Sequence, residues 1–206
     1  MTKLPRYNYQ NRKIKHNYSN TILAKSISSK LNFENNTFFN VNFRGVRLRS
    51  SKFSSCNFIL CDFYGAILNK GKFENAVFKK CVFYASVLRE CKFLNCKFEK
   101  CIFINTPKDF EKNSITEDCH KYNYYDLCIP EISQTDFNIY REAKIFQKNR
   151  LLHIKGGKVN KATIFIALNF FTYDGFKKRL ELAYEDNDTE KIFTTFKLIE
   201  ILKKVM

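Results

Sequence analysis

From residue 31 to residue 105 a large apolar side chain recurs at every fifth position. The series runs Phe33, Phe38, Phe43, Leu48, Phe53, Phe58, Phe63, Leu68, Phe73, Phe78, Phe83, Leu88, Phe93, Phe98 and Phe103. Two positions before most of these stands a small residue, as at Val41, Ser51, Cys56, Cys61, Ala66, Ala76, Cys81 and Cys101. A period of five fits neither the 3.6 of an amphipathic helix nor the 2.0 of a strand. The spacing predicts a chain that turns a corner every five residues, with the large and the small residue inward and the other three outward. Leu48, Leu68 and Leu88 stand twenty apart, so one coil is read as a square of four fives.

The triplets Cys56-Asn57-Phe58, Cys61-Asp62-Phe63 and Cys96-Lys97-Phe98 show a small, a polar and a large apolar residue in succession. In this the stretch resembles the pentapeptide repeat family, over about 75 of the 206 residues. The resemblance implies a mainly β fold, a right-handed quadrilateral β-helix or solenoid. Coils stacked at sheet spacing, about 4.8 Å, predict a rod of nearly four coils, roughly 18 Å long.

The rest of the chain divides around this stretch. Residues 1–30 read as a basic N-terminal arm and cap, 31–106 as the repeat, 107–135 as an irregular connector and 136–206 as a C-terminal helical cap or dimerisation region. Pro107 breaks the strand pattern. Ser28 falls on a central position without being apolar, so the repeat is taken to start after it. Ile139, Ala143, Ile145, Phe146 and Leu151 predict a helix capped at Thr135 or Asp136 and ended by Gly156 and Gly157. Residues 162–173 are apolar almost all round and too short to span a bilayer. Two more helices are predicted over 176–184 and 191–205. The run 140–144 together with 162–173 resembles the helical segment that follows the repeats in many bacterial members of the family.

Composition changes this picture in two places. Six of the eight cysteines occupy the inward small position, where a reduced thiol acts as a compact apolar group. With no secretory signal in residues 1–20, a reducing, cytoplasmic location is expected. The net charge is +16, and it is uneven: residues 1–30 hold seven bases and no acid, and 31–106 hold twelve bases and five acids.

The outward positions sort by side. Lys52, Lys72 and Lys92 precede the central residue on one side, with Lys79, Lys80, Lys97 and Lys100 on the next. Together with Arg12, Lys13 and Lys15 of the arm, where Tyr7, Tyr9 and Tyr18 are interleaved, these are candidate anion-binding residues. A solvated Lys-rich surface and a flexible basic tail are the alternatives. Tyr64, Ile67, Val82, Tyr84, Val87, Ile102 and Ile104 point outward and predict an apolar docking wall, covered by the chain's own C-terminal portion or by a partner.

Candidate chemistry is sparse. Cys119, His120, Cys128 and His153 lack the paired spacing of a zinc site, and the glycines at 156–157 lack the remainder of a phosphate loop. The three histidines have no Ser or Asp partner at a recognisable spacing, and Glu74, Glu90 and Glu99 are scattered. No catalytic residue, metal or cofactor is expected. The expected function is a non-catalytic binding module or scaffold for protein–protein interaction, with a protein partner, self-association or a homodimer through the C-terminal helices. The alternative is a nucleic-acid-associated protein using the basic arm and the Lys ladder. Some members of the family protect a topoisomerase by presenting an acidic, DNA-like rod; this rod is basic, which ranks that role last.

Overall fold

The computed structural model describes residues 4, 13–107, 113–130, 134–140, 143–185 and 192–205. The chain divides into two compact units, Met1–Asn123 and Tyr124–Met206.

The first unit is built from short strands. In chain order they are β1 (Lys13–Ile14), β2 (Tyr18–Ile22), β3 (Ile27–Ser29), β4 (Asn32–Glu34), β5 (Thr37–Asn42), β6 (Arg47–Arg49), β7 (Lys52–Ser54) and β8 (Asn57–Ile59). There follow β9 (Lys72–Glu74), β10 (Val77–Lys79), β11 (Val82–Tyr84), β12 (Lys92–Leu94), β13 (Cys96–Glu99), β14 (Ile102–Ile104), β15 (Ser114–Glu117) and β16 (His120–Tyr122). All strand pairs are parallel, and within the repeat each residue meets the one twenty positions on, as Phe38↔Phe58 and Phe58↔Phe78 do. Four ladders result, one per side of the coil. Side one is β1-β4-β7-β9-β12 and side two β2-β5-β8-β10-β13-β15. Side three is β11-β14-β16, extended by the bridges Asn42↔Asp62↔Val82. Side four is β3-β6, extended by Arg47↔Ile67↔Val87.

The chain is thus a parallel β-solenoid of about five turns, longer at both ends than the apolar beat suggests. Ser28 pairs with Leu48 and is buried, so the coil begins before the first in-register Phe. The stretch expected to be an irregular connector carries β15 and β16, paired with β13 and β14 at an offset of 18. The coil that contains Pro107 is thus two residues shorter than the others, and the solenoid continues past it. The six-stranded side makes the rod about 24 Å long instead of roughly 18 Å.

Backbone geometry explains the period. Every fifth residue from Asn20 to Asn105 has positive φ, including Gly45 and Gly65. This left-handed corner costs a non-Gly residue on the order of 1 kcal/mol, which explains the recurrence of Asn at 20, 35, 40, 75, 95 and 105. Some corners are also closed by a hydrogen bond to the residue three back, as from Val46 N to Phe43 O at 3.0 Å and from Cys91 N to Leu88 O at 3.0 Å.

Inside, the central residues form columns. Tyr18, Phe38, Phe58, Phe78 and Phe98 stack at 5.2, 4.8, 4.7 and 4.6 Å between centroids with nearly parallel planes. The column from Phe33 to Phe93 and that from Phe43 to Phe103 are spaced alike. Leu48, Leu68 and Leu88 fill the fourth side and are buried. Each offset stack meets the next column edge-on or tilted, as for Phe58 and Phe63 at 5.8 Å, the arrangement that the ring quadrupole favours.

The small inward position has a second task. Its side chain donates to the carbonyl 23 residues back: Cys61 to Phe38 O at 3.2 Å, Cys81 to Phe58 O, Cys101 to Phe78 O and Ser86 to Phe63 O. Thr106 does the same to Phe83 O, and Cys119 donates to Phe98 O, 21 residues back in the shortened coil. All eight cysteines are free thiols. Burial pushes the Cys56 and Cys91 thiols up to about 11 from the ordinary 9.0. With the folded value above the unfolded one, their contribution is complete below pH 9 and is lost as pH rises toward 11. Urea midpoints are expected to hold to about pH 9 and then fall, less steeply in a Cys56→Ser, Cys91→Ser variant. An identical fall in both proteins would contradict the burial.

The second unit is helical. Among the described residues it comprises 3-10 turns at Tyr124–Asp126, Gln134–Tyr140 and Lys155–Gly157 and four helices: α1 (Lys144–Asn149), α2 (Lys161–Leu168), α3 (Tyr173–Glu185) and α4 (Thr195–Leu202). Its core includes Phe137, Phe146, Leu151, Ile164, Phe176, Leu180 and Leu198. The helix expected from Asp136 onward is split. Ile139 is exposed, and the Asp136 carboxylate accepts a 2.6 Å bond from the Tyr173 hydroxyl and pairs with Lys177 at 3.3 Å in place of capping. Asn160 caps α2 and Thr194 caps α4.

Candidate functional site

The interior of the solenoid is filled, so its chemistry lies on the outer faces. On side one, Lys52, Lys72 and Lys92 are direct ladder neighbours, as their spacing predicts. A like-charged column is unfavourable unless compensated, and compensation comes diagonally from the next coil. Lys52 pairs with Glu74 at 3.0 Å, and on the same side Lys13 pairs with Glu34 at 2.7 Å. On side two Lys79 pairs with its direct ladder partner Glu99 at 2.7 Å, and Lys97 pairs diagonally with Glu117 at 2.9 Å.

These contacts shift the groups' titration. The Lys13 hydrogen bond holds the Glu34 carboxyl below its usual value, and that from Lys79 does the same to Glu99. The Glu117 carboxylate raises Lys97. All are exposed pairs, which contribute little stability. Their effect is to remove Lys79 and Lys97 from the free cations of side two. Lys80 is half-buried, Lys15 and Lys100 are exposed, and Arg12 lies outside the described residues.

Sequence reasoning missed the arginines. Arg47, Arg49 and Arg89 project from side four, and Lys70 from the corner joining it to side one; all are exposed. The signal was available, because a base followed by an acid 20 to 22 positions on marks a compensated cation, and Arg47, Arg49 and Lys72 have no such acid.

The apolar wall does not form one face. Tyr64, Val82, Tyr84, Ile102 and Ile104 stand on side three, while Ile67 and Val87 stand around the corner on side four. Tyr64, Val82, Ile102 and Ile104 are already buried. The Arg44 guanidinium lies 4.2 Å above the Tyr64 ring, and Tyr64 and Tyr84 are 5.3 Å apart. Of the seven, Val87 alone is strongly exposed, at 40%.

Of the residues weighed for zinc, Cys119 belongs to the inward column of Cys61, Cys81 and Cys101. Its thiol donates to Phe98 O at 3.4 Å. His120 is exposed, 3.7 Å from Asp118, and Cys128 is exposed. His153 is buried in the helical unit. Among the described residues no group of three His, Cys, Asp or Glu could hold a metal ion, and no helix is long and apolar enough to cross a membrane.

The model of the pentapeptide repeats matches residues 42–79 and 72–105, with eight copies. No curated protein matches the chain. Among solved structures, a pentapeptide repeat protein of the Arabidopsis thaliana thylakoid lumen is 13% identical with a TM-score of 0.18, over 39% of this chain and 64% of that one. The present chain thus spans less than two thirds of that protein. Two trypsin-treated forms of QnrB1, a plasmid-mediated fluoroquinolone resistance protein, are 12% identical with a TM-score of 0.19, over 68% of this chain and 93% of theirs. At TM-scores this low the likeness adds nothing to what the repeat itself establishes. The match over residues 42–105, together with the twenty-residue parallel register and the inward Phe and Cys columns, makes this stretch a run of pentapeptide repeats of that family.

Proposed function

We propose that the protein acts without catalysis, as a binding module that engages another protein through the outside of a stiff solenoid. The observation that carries this reading is the last coil. On sides two and three its central positions hold Thr116 and Lys121 in place of Phe. Among the described residues β15 has a ladder partner on one side only. Ile115 of β15 is 63% exposed. An open strand edge beside an exposed apolar side chain supports docking by strand addition. A stiff support lowers the ordering cost of such a contact. The partner is a different protein or a second copy of this chain.

The test is recovery of the tagged full chain from its own cells after nuclease treatment and at moderate salt, with light scattering for self-association. At least one protein, or a second copy, is expected to remain bound. Ile115→Lys should abolish that binding and change stability by no more than about 0.5 kcal/mol, as for other exposed substitutions. Recovery of nothing once nuclease is added would overturn the reading.

A further inference from the structure

Exposed cations are concentrated on one edge of the solenoid. On sides four and one with their shared corner, residues 27–35, 47–55, 67–75 and 87–95 carry eight bases and three acids. Two of those acids are engaged: Glu74 by Lys52, and Glu90 by Lys70 at 3.5 Å and Arg89 at 3.3 Å. Arg47, Arg49, Lys70, Lys72, Arg89 and Lys92 are all exposed, on three consecutive coils and around one edge of the rod. The third acid, Glu34, lies one coil away and is tied to Lys13.

We infer that this edge binds the phosphate backbone of a nucleic-acid duplex, a role beyond the protein contact proposed above and resting on other residues. Three coils span about 10 Å, the axial length of about three phosphates on one strand of a duplex. Arg47 and Arg49 flank the inward Leu48 on one coil, and Arg89 follows Leu88 two coils on. The guanidinium fork suits phosphate oxygens. The ladders fix the backbone beneath each cation, so binding orders the side chains alone. Single strands are gripped by stacking bases on aromatic side chains, and this edge offers none. Its exposed large apolar residues are Ile27, Val87 and Leu94, which stand apart and give a protein partner no central anchor. Because every contact is to phosphate, binding is independent of sequence and falls with salt.

The test uses the full chain and a fluorescent duplex of about 20 mixed-sequence base pairs, read by anisotropy between about 50 and 200 mM salt. The logarithm of the affinity is expected to fall against the logarithm of salt with a slope of about −3 to −5, on the order of 100-fold over that range. Replacing Arg47, Arg49, Lys72, Arg89 and Lys92 together by Gln should weaken binding at least about tenfold and flatten the slope by about one per lost contact. Lys79→Gln with Lys97→Gln, on side two, should leave both unchanged. Unaltered thermal melting checks that both variants are folded. Three results would overturn the inference: no binding at the lowest salt, an equal loss in the side-two variant, or a single strand bound as tightly as the duplex. The assay contains no other protein, so it can fail without touching the protein-binding reading, and the reverse holds as well.

Discussion

Phe78→Ala is expected to lower stability by about 3 to 5 kcal/mol, read from urea unfolding by circular dichroism. The ring is wholly buried, between Phe58 at 4.7 Å and Phe98 at 4.6 Å, and Phe73 and Phe83 flank it at 5.7 and 5.8 Å. Its removal leaves a void that cannot close. The backbones above and below are held at ladder spacing by β8 and β13, and the flanking rings belong to columns with neighbours of their own. A domain is stable by only about 5 to 15 kcal/mol, so one ring is a large share. A Phe78→Ala protein that unfolds like the wild type would place the ring outside the columns.

The second large effect is expected in the helical unit. Phe176 of α3 is fully buried, 6.0 Å from Phe137 and 6.4 Å from Phe171, within a core distinct from that of the solenoid. Phe176→Ala should cost about 3 to 5 kcal/mol, the usual range for a buried Phe, and the helical signal near 222 nm reports it. Tyr184→Ala on the same helix, at a side chain 39% exposed, should cost much less. Equal effects of the two substitutions would mean that α3 turns a different face to its core.

The columns could be read from the chain because a solenoid repeats one local solution. Each Phe meets the Phe twenty residues on, so spacing alone gives the ladder partner. The inward thiols were legible for the same reason, although their bonds to carbonyls 23 residues back were not, since that offset combines two rungs of the pattern. What broke the period was hidden. β15 and β16 continue the ladders at an offset of 18, and with Thr116 and Lys121 at the central positions no apolar beat announces them. In the helical unit the Tyr173–Asp136 bond draws the carboxylate away from the cap it was expected to make. The outer faces were legible only in part. The Lys52, Lys72, Lys92 column followed from spacing, but its meaning depended on which cations meet an acid on the next coil. That shifted the uncompensated charge to Arg47 and Arg49, beside Lys72 and Lys92.

Hydrogen exchange of the backbone amides tests most directly whether the solenoid is filled and stiff, with its chemistry all on its surface. Amides in β8, β10 and β13, paired on both sides, are expected to exchange only through global unfolding, with free energies near the full stability. Those of β15 and β16 should be protected to a lesser degree, and residues 124–126 should exchange fastest. Exchange in β10 as fast as at residues 124–126 would contradict a rigid support and, with it, the proposal that function is carried by side chains presented on fixed rungs.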